Sequence, residues 1–435
     1  MQNRVVITGM GLVSPMGCSV DTVWEGILTG KDGFNEISVF DASTFPTKFC
    51  AEVKNFELSE HISTAEKHKH GLRATGFAIA AAAQACRQAG IDIETDAPAD
   101  NIDRKKIGIY MGSGEGPTDH NTFFNAIVES YDKESSTVDW AKWAKATMES
   151  MEAIGEIEQE PNMPAGHIAM LTGARGPVRS CLTACAASTQ AIGEATMMIR
   201  QGRSDIMIAG GSHSMIHPLG ITGFNRLTAL STRNDDIHHA SRPFSGSRDG
   251  FVIGEGSAVM ILESLESATK RGAKILAEVI GYGSSSDAFR VTDMHDEARG
   301  GCAAITAALK DAGITTEDVD YINAHGTSTK ENDSIETLAI KTVFGDKAKD
   351  VAVSSVKSML GHLIGSAGAA ELITCVKAIE NDILPPTANY QDPDPELDLD
   401  YVPNEPRKAE VNIAMSESFG FGGQNDVVIV KKYID

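Results

Sequence analysis

No apolar run in this 435-residue chain approaches the roughly 20 residues a bilayer crossing needs. The opening, MQNRVVITGMGLVSP, has no charged start followed by a long apolar stretch, so no secretory signal is expected. Basic charge is scarce: 38 Lys and Arg stand against 60 Asp and Glu, a net charge of −22. That excludes the strong basic footprint of a nucleic-acid binder, and an acidic partner would need a local basic patch. A disulfide framework is lacking as well. The seven cysteines (Cys18, Cys50, Cys86, Cys181, Cys185, Cys302, Cys375) are scattered and odd in number, which points to reduced thiols and a cytoplasmic location. Cys181 and Cys185 have no second Cys/His cluster at ligand spacing nearby, so no metal site is expected. No Gly-x-Ser-x-Gly elbow suggests a hydrolase. The turns GMGLVSP and GSGEG lack the dinucleotide fingerprint and the P-loop lysine.

What is present is enough chain for a sizeable core, as two domains or one duplicated one. The 41 glycines exceed the usual share of about 7%, which implies many tight turns and close backbone approaches. Short buried strands ending in glycine are read at 4–9, 106–112 and 205–211, with helices at 21–28, 72–88 and 186–201 between them. A second series reads as helix 265–271, strand 277–283, helix 298–312, strand 320–324, helix 331–343, strand 351–355, helix 367–380 and strand 427–432. The alternation predicts an α/β fold with a parallel sheet covered on both faces. Strand–glycine openings near 4 and 277, and small-residue helix starts near 185 and 366, suggest an internal duplication of about 200 residues. Two stretches break the pattern. Residues 121–163, rich in acids, Met and Trp, read as a helical cap, and 385–406, rich in Pro and Asp, as an ordered surface crossing.

Within SCLTACAAST, Cys185 sits where a strand hands over to a helix N-terminus, whose free N–H groups and dipole favour a thiolate. A small buried hydrophobe would read the same way. Three further stretches follow strands in the second half: NAHGTST (323–329), SSVKSMLGHLIGSAGAAE (354–371) and SFGFGGQN (418–425). Ligands gather at the carboxyl ends of strands in such folds, which puts His325 and His362 in suitable places. Together the set suits acyl transfer followed by carbon–carbon bond formation. A thiolate accepts an acyl group from a thioester, and two N–H-donating histidines stabilise an enolate as carbon dioxide leaves. The glycines of GFGG let a backbone N–H approach an oxyanion. Thr327 and Thr329 offer hydroxyls to the amides of a pantetheine arm, or are simply turn residues.

These residues amount to a family pattern. The segments VVITGMGLVSPMG, TACAAST, LSTRND, RDGFVIGEG, NAHGTST, SSVKSMLGHLIGSAGA and SFGFGG resemble those of the β-ketoacyl-acyl-carrier-protein synthases, the type II elongation group above all. The resemblance runs over essentially the whole chain. It implies the thiolase fold, a five-layer αβαβα arrangement of two duplicated halves, 1–262 and 263–435, usually as a homodimer, with a heterodimer as the alternative. It implies no bound cofactor, since malonyl- and acyl-thioester substrates ride on the phosphopantetheine arm of an acyl-carrier protein. By the same resemblance Cys185 is the acylated nucleophile, and His325 and His362 support malonyl decarboxylation and carbanion attack. Lys357 and its partner carboxylate Glu371 orient the site. Phe421 gates the acyl pocket, and its N–H joins that of Cys185 in the oxyanion hole. Phe419, Gly422, Thr327 and Thr329 lie beside the substrate. Lys67, Lys69 and Arg73 greet the acidic carrier protein, unless they are only a solvated helix face.

The sequence departs from the pattern in a few places. Glu417 stands where the family has Asn, Leu360 for a common Thr, and Lys330 for a common Pro. Glu115 occupies a position often apolar in relatives, one that reaches the partner subunit's acyl pocket. These departures suggest a pathway-specific ketosynthase, or a chain-length partner, for an unusual lipid or polyene. A thiolase is less favoured, because no second catalytic cysteine follows Cys375.

Overall fold

The computed structural model describes residues 3–116 and 120–434. Ten strands form the main sheet: β1 (Val5–Val13), β2 (Ile107–Gly112), β3 (Val178–Cys181), β4 (Ile206–His213), β5 (Gly256–Ser264), β6 (Ala277–Ser286), β7 (Tyr321–Asn323), β8 (Ala352–Ser354), β9 (Ile413–Gly420) and β10 (Gln424–Lys431). Their spatial order is β8-β7-β9-β10-β6-β1-β5-β4-β2-β3. Each half repeats one pattern. In the first, β3, β2 and β4 run parallel and β5 and β1 add antiparallel. In the second, β8, β7 and β9 run parallel and β10 and β6 add antiparallel. The halves join where Val5–Ile7 of β1 pairs with 277–279 of β6.

The duplication read from the sequence is therefore present, but the sheet expected to be parallel is mixed. Five of the nine pairings are antiparallel. Strand β5 was not anticipated, and β9 only as the strand that SFGFGGQN follows. Hydrophobic period reports that a strand is buried, not which way its neighbour runs.

Six helices complete the layers: α1 (Arg73–Ala89), α2 (Met163–Thr172), α3 (Ala187–Arg200), α4 (Arg299–Ala312), α5 (Lys330–Phe344) and α6 (Ala367–Asn381). Alternating side chains assign the faces. Ile206 and Ile208 of β4 pack outward with α1 and α2, while Met207 and Ala209 point inward against Ile192 of α3 and Leu372 of α6. On the other half, Ile413 and Met415 pack outward with α4 and α5, and Ala414, Val428 and Val430 join the central core. The result is helices, sheet, two buried central helices, sheet, helices: the five layers of the thiolase fold.

Tight backbone contact explains the glycine and alanine content. A Cβ on Gly9 or Gly11 would stand 2.1 or 1.9 Å from the carbonyl oxygens of Ala85 and Ala81 on α1. The second half repeats this, with Gly281 and Gly283 against Ala308 and Ala304 of α4 at 2.5 and 2.1 Å. Only Gly facing a small-residue helix allows strand and helix to approach so closely.

The 121–163 excursion is helical, with helices at His120–Ser130, Trp140–Ser150 and Ala153–Glu158. The 385–406 stretch is no simple surface crossing: Leu397, Leu399 and Tyr401 are buried in the core of the second half.

Candidate active site

Strand β3 ends at Cys181, and a 3-10 turn, Ala184–Ala186, delivers the chain into α3. Ala184 stands at φ 48°, a left-handed conformation that costs a non-glycine residue of order 1–3 kcal/mol and lifts Cys185 onto the bend. Gly420, at the end of β9, passes directly behind: a Cβ there would meet the Thr183 carbonyl oxygen at 2.9 Å and the Cys185 nitrogen at 3.3 Å. That closeness brings the N–H groups of Phe421 and Cys185 to the Cys185 sulfur. Cys185 is buried, and burial pushes its thiol up to about 11, against the opposing pull of the Lys357 cation and the Phe421 N–H. Burial thus works against the thiolate that a helix N-terminus favours.

His325 follows β7. Its N–H and that of Gly326 donate to the buried Glu336 carboxylate at 2.5 and 2.7 Å, which fixes the loop. His362 follows a short helix, Lys357–Leu360, and Gly361 at φ 72°. Its Nδ1 accepts the Ile364 N–H at 3.2 Å, so Nε2 carries the proton, and Nε2 lies 3.1 Å from Cys185 Sγ. Lys357, 1% exposed, donates to His325 Nδ1 at 3.3 Å and to its carbonyl at 2.5 Å, and forms a close ion pair with Glu371. His325 is thereby held in the same Nε2–H tautomer. Burial and the Lys357 charge hold both imidazoles well below their ordinary range, so both stay neutral donors. Burial raises Glu371, and Lys357 opposes the rise.

Sγ and one ring nitrogen of each imidazole lie within 4.8 Å of one another. Such a trio has the ligand atoms for a soft metal ion; what the surroundings add is a chamber suited to thioester chemistry. Two cavities meet at Cys185. One, of about 200 Å³, holds His325, His362, Thr327, Thr329 and Phe419 and extends to Asn332. The other, of about 710 Å³, runs from Cys185 past Glu115, His213, Met215, His217 and Leu219. Phe421 and Phe224 line both, so Phe421 stands between them.

Residues 2–268 match the model of the β-ketoacyl synthase N-terminal domain and 276–391 that of its C-terminal domain. The chain belongs to the β-ketoacyl synthase family. It is 42% identical to the 3-oxoacyl-[acyl-carrier-protein] synthase 2 of Synechocystis sp. over 99% of each chain. It is 43% identical to the enzyme of the same name from Staphylococcus aureus (strain N315), over 99% of this chain and 98% of that one. Among solved structures, it is similar to a type II PKS ketosynthase bound to the hexaketide and in complex with its acyl-carrier protein (TM-score 0.86, 33% identity, 100% of each chain covered). It is also similar to the ishigamide ketosynthase/chain length factor (TM-score 0.85, 34% identity, 100% of each chain covered).

As a β-ketoacyl synthase, the chain brings Cys185, His325, His362, Lys357, Glu371, Phe419 and Phe421 into one site. Thr327 and Thr329 share a hydroxyl hydrogen bond at 2.9 Å in the smaller cavity, and Thr329 also caps α5 by accepting the Asn332 N–H. The turn reading holds for Thr329, and both threonines line the smaller cavity. Gly422 turns at φ 84° beside Phe421 but lines neither cavity. Of the basic trio, Lys67 and Lys69 are exposed, with Lys69 paired to Glu66 at 2.5 Å. Arg73 is exposed as well, and its guanidinium is also bound to Glu255 at 2.6 Å and to the Val53 carbonyl. Glu417 faces Glu336 behind the His325 loop and lines neither cavity, so of the two acidic departures only Glu115 lines the larger one. Sequence reading missed Glu336 and Asp333. Their one-turn spacing on the helix directly after NAHGTST was the available signal.

Proposed function

We propose that this protein condenses an acyl chain carried on Cys185 with malonyl-acyl-carrier protein, giving carbon dioxide and a 3-oxoacyl-acyl-carrier protein. Cys185 attacks the incoming thioester carbonyl, and the oxyanion takes the N–H groups of Cys185 and Phe421. The carrier thiol leaves with the cysteine proton. A malonyl thioester then enters the smaller cavity, where the Nε2–H groups of His325 and His362 donate to its carbonyl oxygen. Breaking the bond to the carboxylate releases carbon dioxide and leaves its electron pair as an enolate. The enolate carbon attacks the acyl carbonyl on Cys185, the carbon–sulfur bond breaks, and the thiolate regains a proton from solvent.

One observation carries this reading. Two neutral imidazoles with occupied Nδ1 atoms aim their Nε2–H groups at the chamber that holds the Cys185 sulfur. Lys357, paired to Glu371, positions His325 and keeps it neutral. The test is condensation by Cys185→Ser with acyl- and malonyl-carrier protein. No 3-oxoacyl product is expected, and product formation would overturn the assignment.

The intact nucleophile argues against a chain-length partner. Homodimerisation is supported by β3, which ends the sheet with an unpaired edge and exposes Val178. Seven free cysteines fit a reducing cytoplasm, and among the described residues no helix is long and apolar enough to cross a membrane. The phosphopantetheine arm of an acyl-carrier protein is the substrate handle, with Thr327 and Thr329 beside its path and Lys67, Lys69 and Arg73 as the exposed cations of the docking patch.

A further inference from the structure

Glu417 is a fully buried carboxyl that the condensing reaction leaves unused. It stands on β9, two residues before Phe419, and alternation along the strand turns it to the outer face of the sheet, where α4 and α5 pack. Its hydrogen-bond partner is a second buried carboxyl, Glu336 of α5. Among the described residues no other group hydrogen-bonds either Glu417 oxygen. Glu336, in contrast, is rich in donors. Its Oε1 takes the His325 N–H at 2.5 Å, and its Oε2 takes the Gly326 N–H at 2.7 Å and the Asn332 side-chain amide at 3.1 Å. Two carboxyls in hydrogen-bond contact do not both ionise unless a cation lies between them. Glu336 receives three N–H groups and Glu417 none, so a proton held by the pair rests on Glu417. Burial raises both groups. The Gly326 and His325 N–H groups and the Lys357 charge draw Glu336 back, whereas Glu336 itself pushes Glu417 further up. The other neighbours are Asp333, which stands 3.6 Å from Arg248, and the Cys302 thiol of α4, which burial also pushes up.

We propose that Glu417 is a carboxylic acid whose O–H donates to the Glu336 carboxylate, and that it positions His325 through Glu336. The acid holds Glu336, and Glu336 holds the backbone on which the His325 ring stands. Lys357 holds the same residue by its Nδ1 and its carbonyl. Glu417 touches no substrate. The inference rests on the reading of His325 as a donor to malonate.

Thermal melting of the unaltered protein and of Glu417→Gln reads the proton. The unfolded carboxyl titrates near about 4.3, and the folded one holds its proton to higher pH, so stability falls as pH rises above the unfolded value. Gln keeps an N–H donor and has no such proton to lose. The melting temperature of Glu417→Gln should therefore gain on that of the unaltered protein by several degrees between about pH 5 and pH 8. A gap that stays constant or closes would overturn the proposal. Melting at one ionic strength in sodium, potassium, calcium or tetramethylammonium chloride separates a proton from a metal cation. The gap between the two proteins should be the same in every salt. Stabilisation of the unaltered protein by one of the small cations, lost in Glu417→Gln, would put a cation in the proton's place and contradict the proposal. Activity reads the positioning. Glu417→Leu, which has no donor, is expected to lower malonyl decarboxylation about tenfold while acyl loading of Cys185 changes little, and Glu417→Gln to restore most of the loss. Equal losses in the two half-reactions, or a Gln variant as impaired as the Leu variant, would sink the positioning role. An unaltered protein that neither loads acyl chains nor decarboxylates malonyl-carrier protein would sink the condensing reaction, and the melting curves would still decide where the proton lies.

Discussion

Ala184–Ala186 before α3 and Ile364–Ser366 before α6 are the same turn built twice. Each is a 3-10 turn whose first residue stands in the left-handed region, at φ 48° and 49°, and each leads into a buried central helix. They differ in what they hold. The first carries Cys185 at its middle position, and the second carries Gly365. In the second, the N–H groups of Ile364 and Gly365 are given to two imidazoles. A Cβ at 365 would come within 3.3 Å of the Ser113 carbonyl and 3.5 Å of the His213 ring. One copy of the duplicated fold therefore presents the Cys185 sulfur, and the other uses the same backbone to hold His362, which faces that sulfur, and His213, which does not. Duplication supplies the geometry, and in the proposed reaction a single side chain decides which copy does covalent chemistry.

The largest expected effect comes from emptying the first turn. Cys185→Ser should abolish acyl loading altogether, read as loss of the mass increment on mixing with acyl-carrier protein. Removing the ring held by the second turn should separate the half-reactions. His362→Ala is expected to cut malonyl decarboxylation by about 10²–10³, the usual scale for an oxyanion donor, while sparing acyl loading far more. Carbon dioxide release and adduct formation, measured side by side, check this, and equal losses in both would erase the distinction between the two copies.

Lys357→Met strips the cation from both turns at once and leaves Glu371 buried and unpaired, at a cost of about 3–5 kcal/mol in unfolding free energy. The sign of its effect on the nucleophile follows from charge. Lys357 favours the thiolate, so its loss raises the Cys185 pKa further above about 11. Iodoacetamide modification of the unaltered protein should keep accelerating above pH 9, and the variant's curve should lie at still higher pH. A curve that levels near the ordinary thiol range of about 8.5 would contradict the dominance of burial.

The smallest effects test the duplicated scaffold. Gly9→Ala and Gly281→Ala each force a methyl group against a helix carbonyl, at 2.1 and 2.5 Å, and should each cost about 1–3 kcal/mol in denaturant unfolding. Gly9→Ala should cost the more. Near-neutral values at both positions would mean that strand and helix are not held as closely as the distances imply.

Much of this was legible in the sequence because it is local. The helix from Arg73 stops at Gly90, which adopts φ 69° as its C-cap, and the Cys185 turn sits between a strand and a helix as expected. What escaped was nonlocal. The antiparallel strand β5 carries no period that distinguishes it from a parallel neighbour, and the bounds of β9 (IAMSESFG) hide behind buried Ser416, Glu417 and Ser418. His213 ends a strand as a lone histidine in GGSH, and only folding sets it on the turn that also serves His362. Arg73 looked like a free surface cation because its partner, Glu255, lies 182 residues away. Glu417, conspicuous in the sequence, is buried behind the His325 loop and acts on no substrate surface.

The residue that carries the chain between the two half-reactions is the decisive point of the proposed reaction. Peptide mapping by mass spectrometry after mixing with acyl-carrier protein, before and after malonyl-carrier protein is added, reads this directly. The acyl group should appear on the Cys185 peptide and disappear as 3-oxoacyl-carrier protein forms. An acyl group on any other residue, or one that stays on Cys185 while product accumulates, would contradict it.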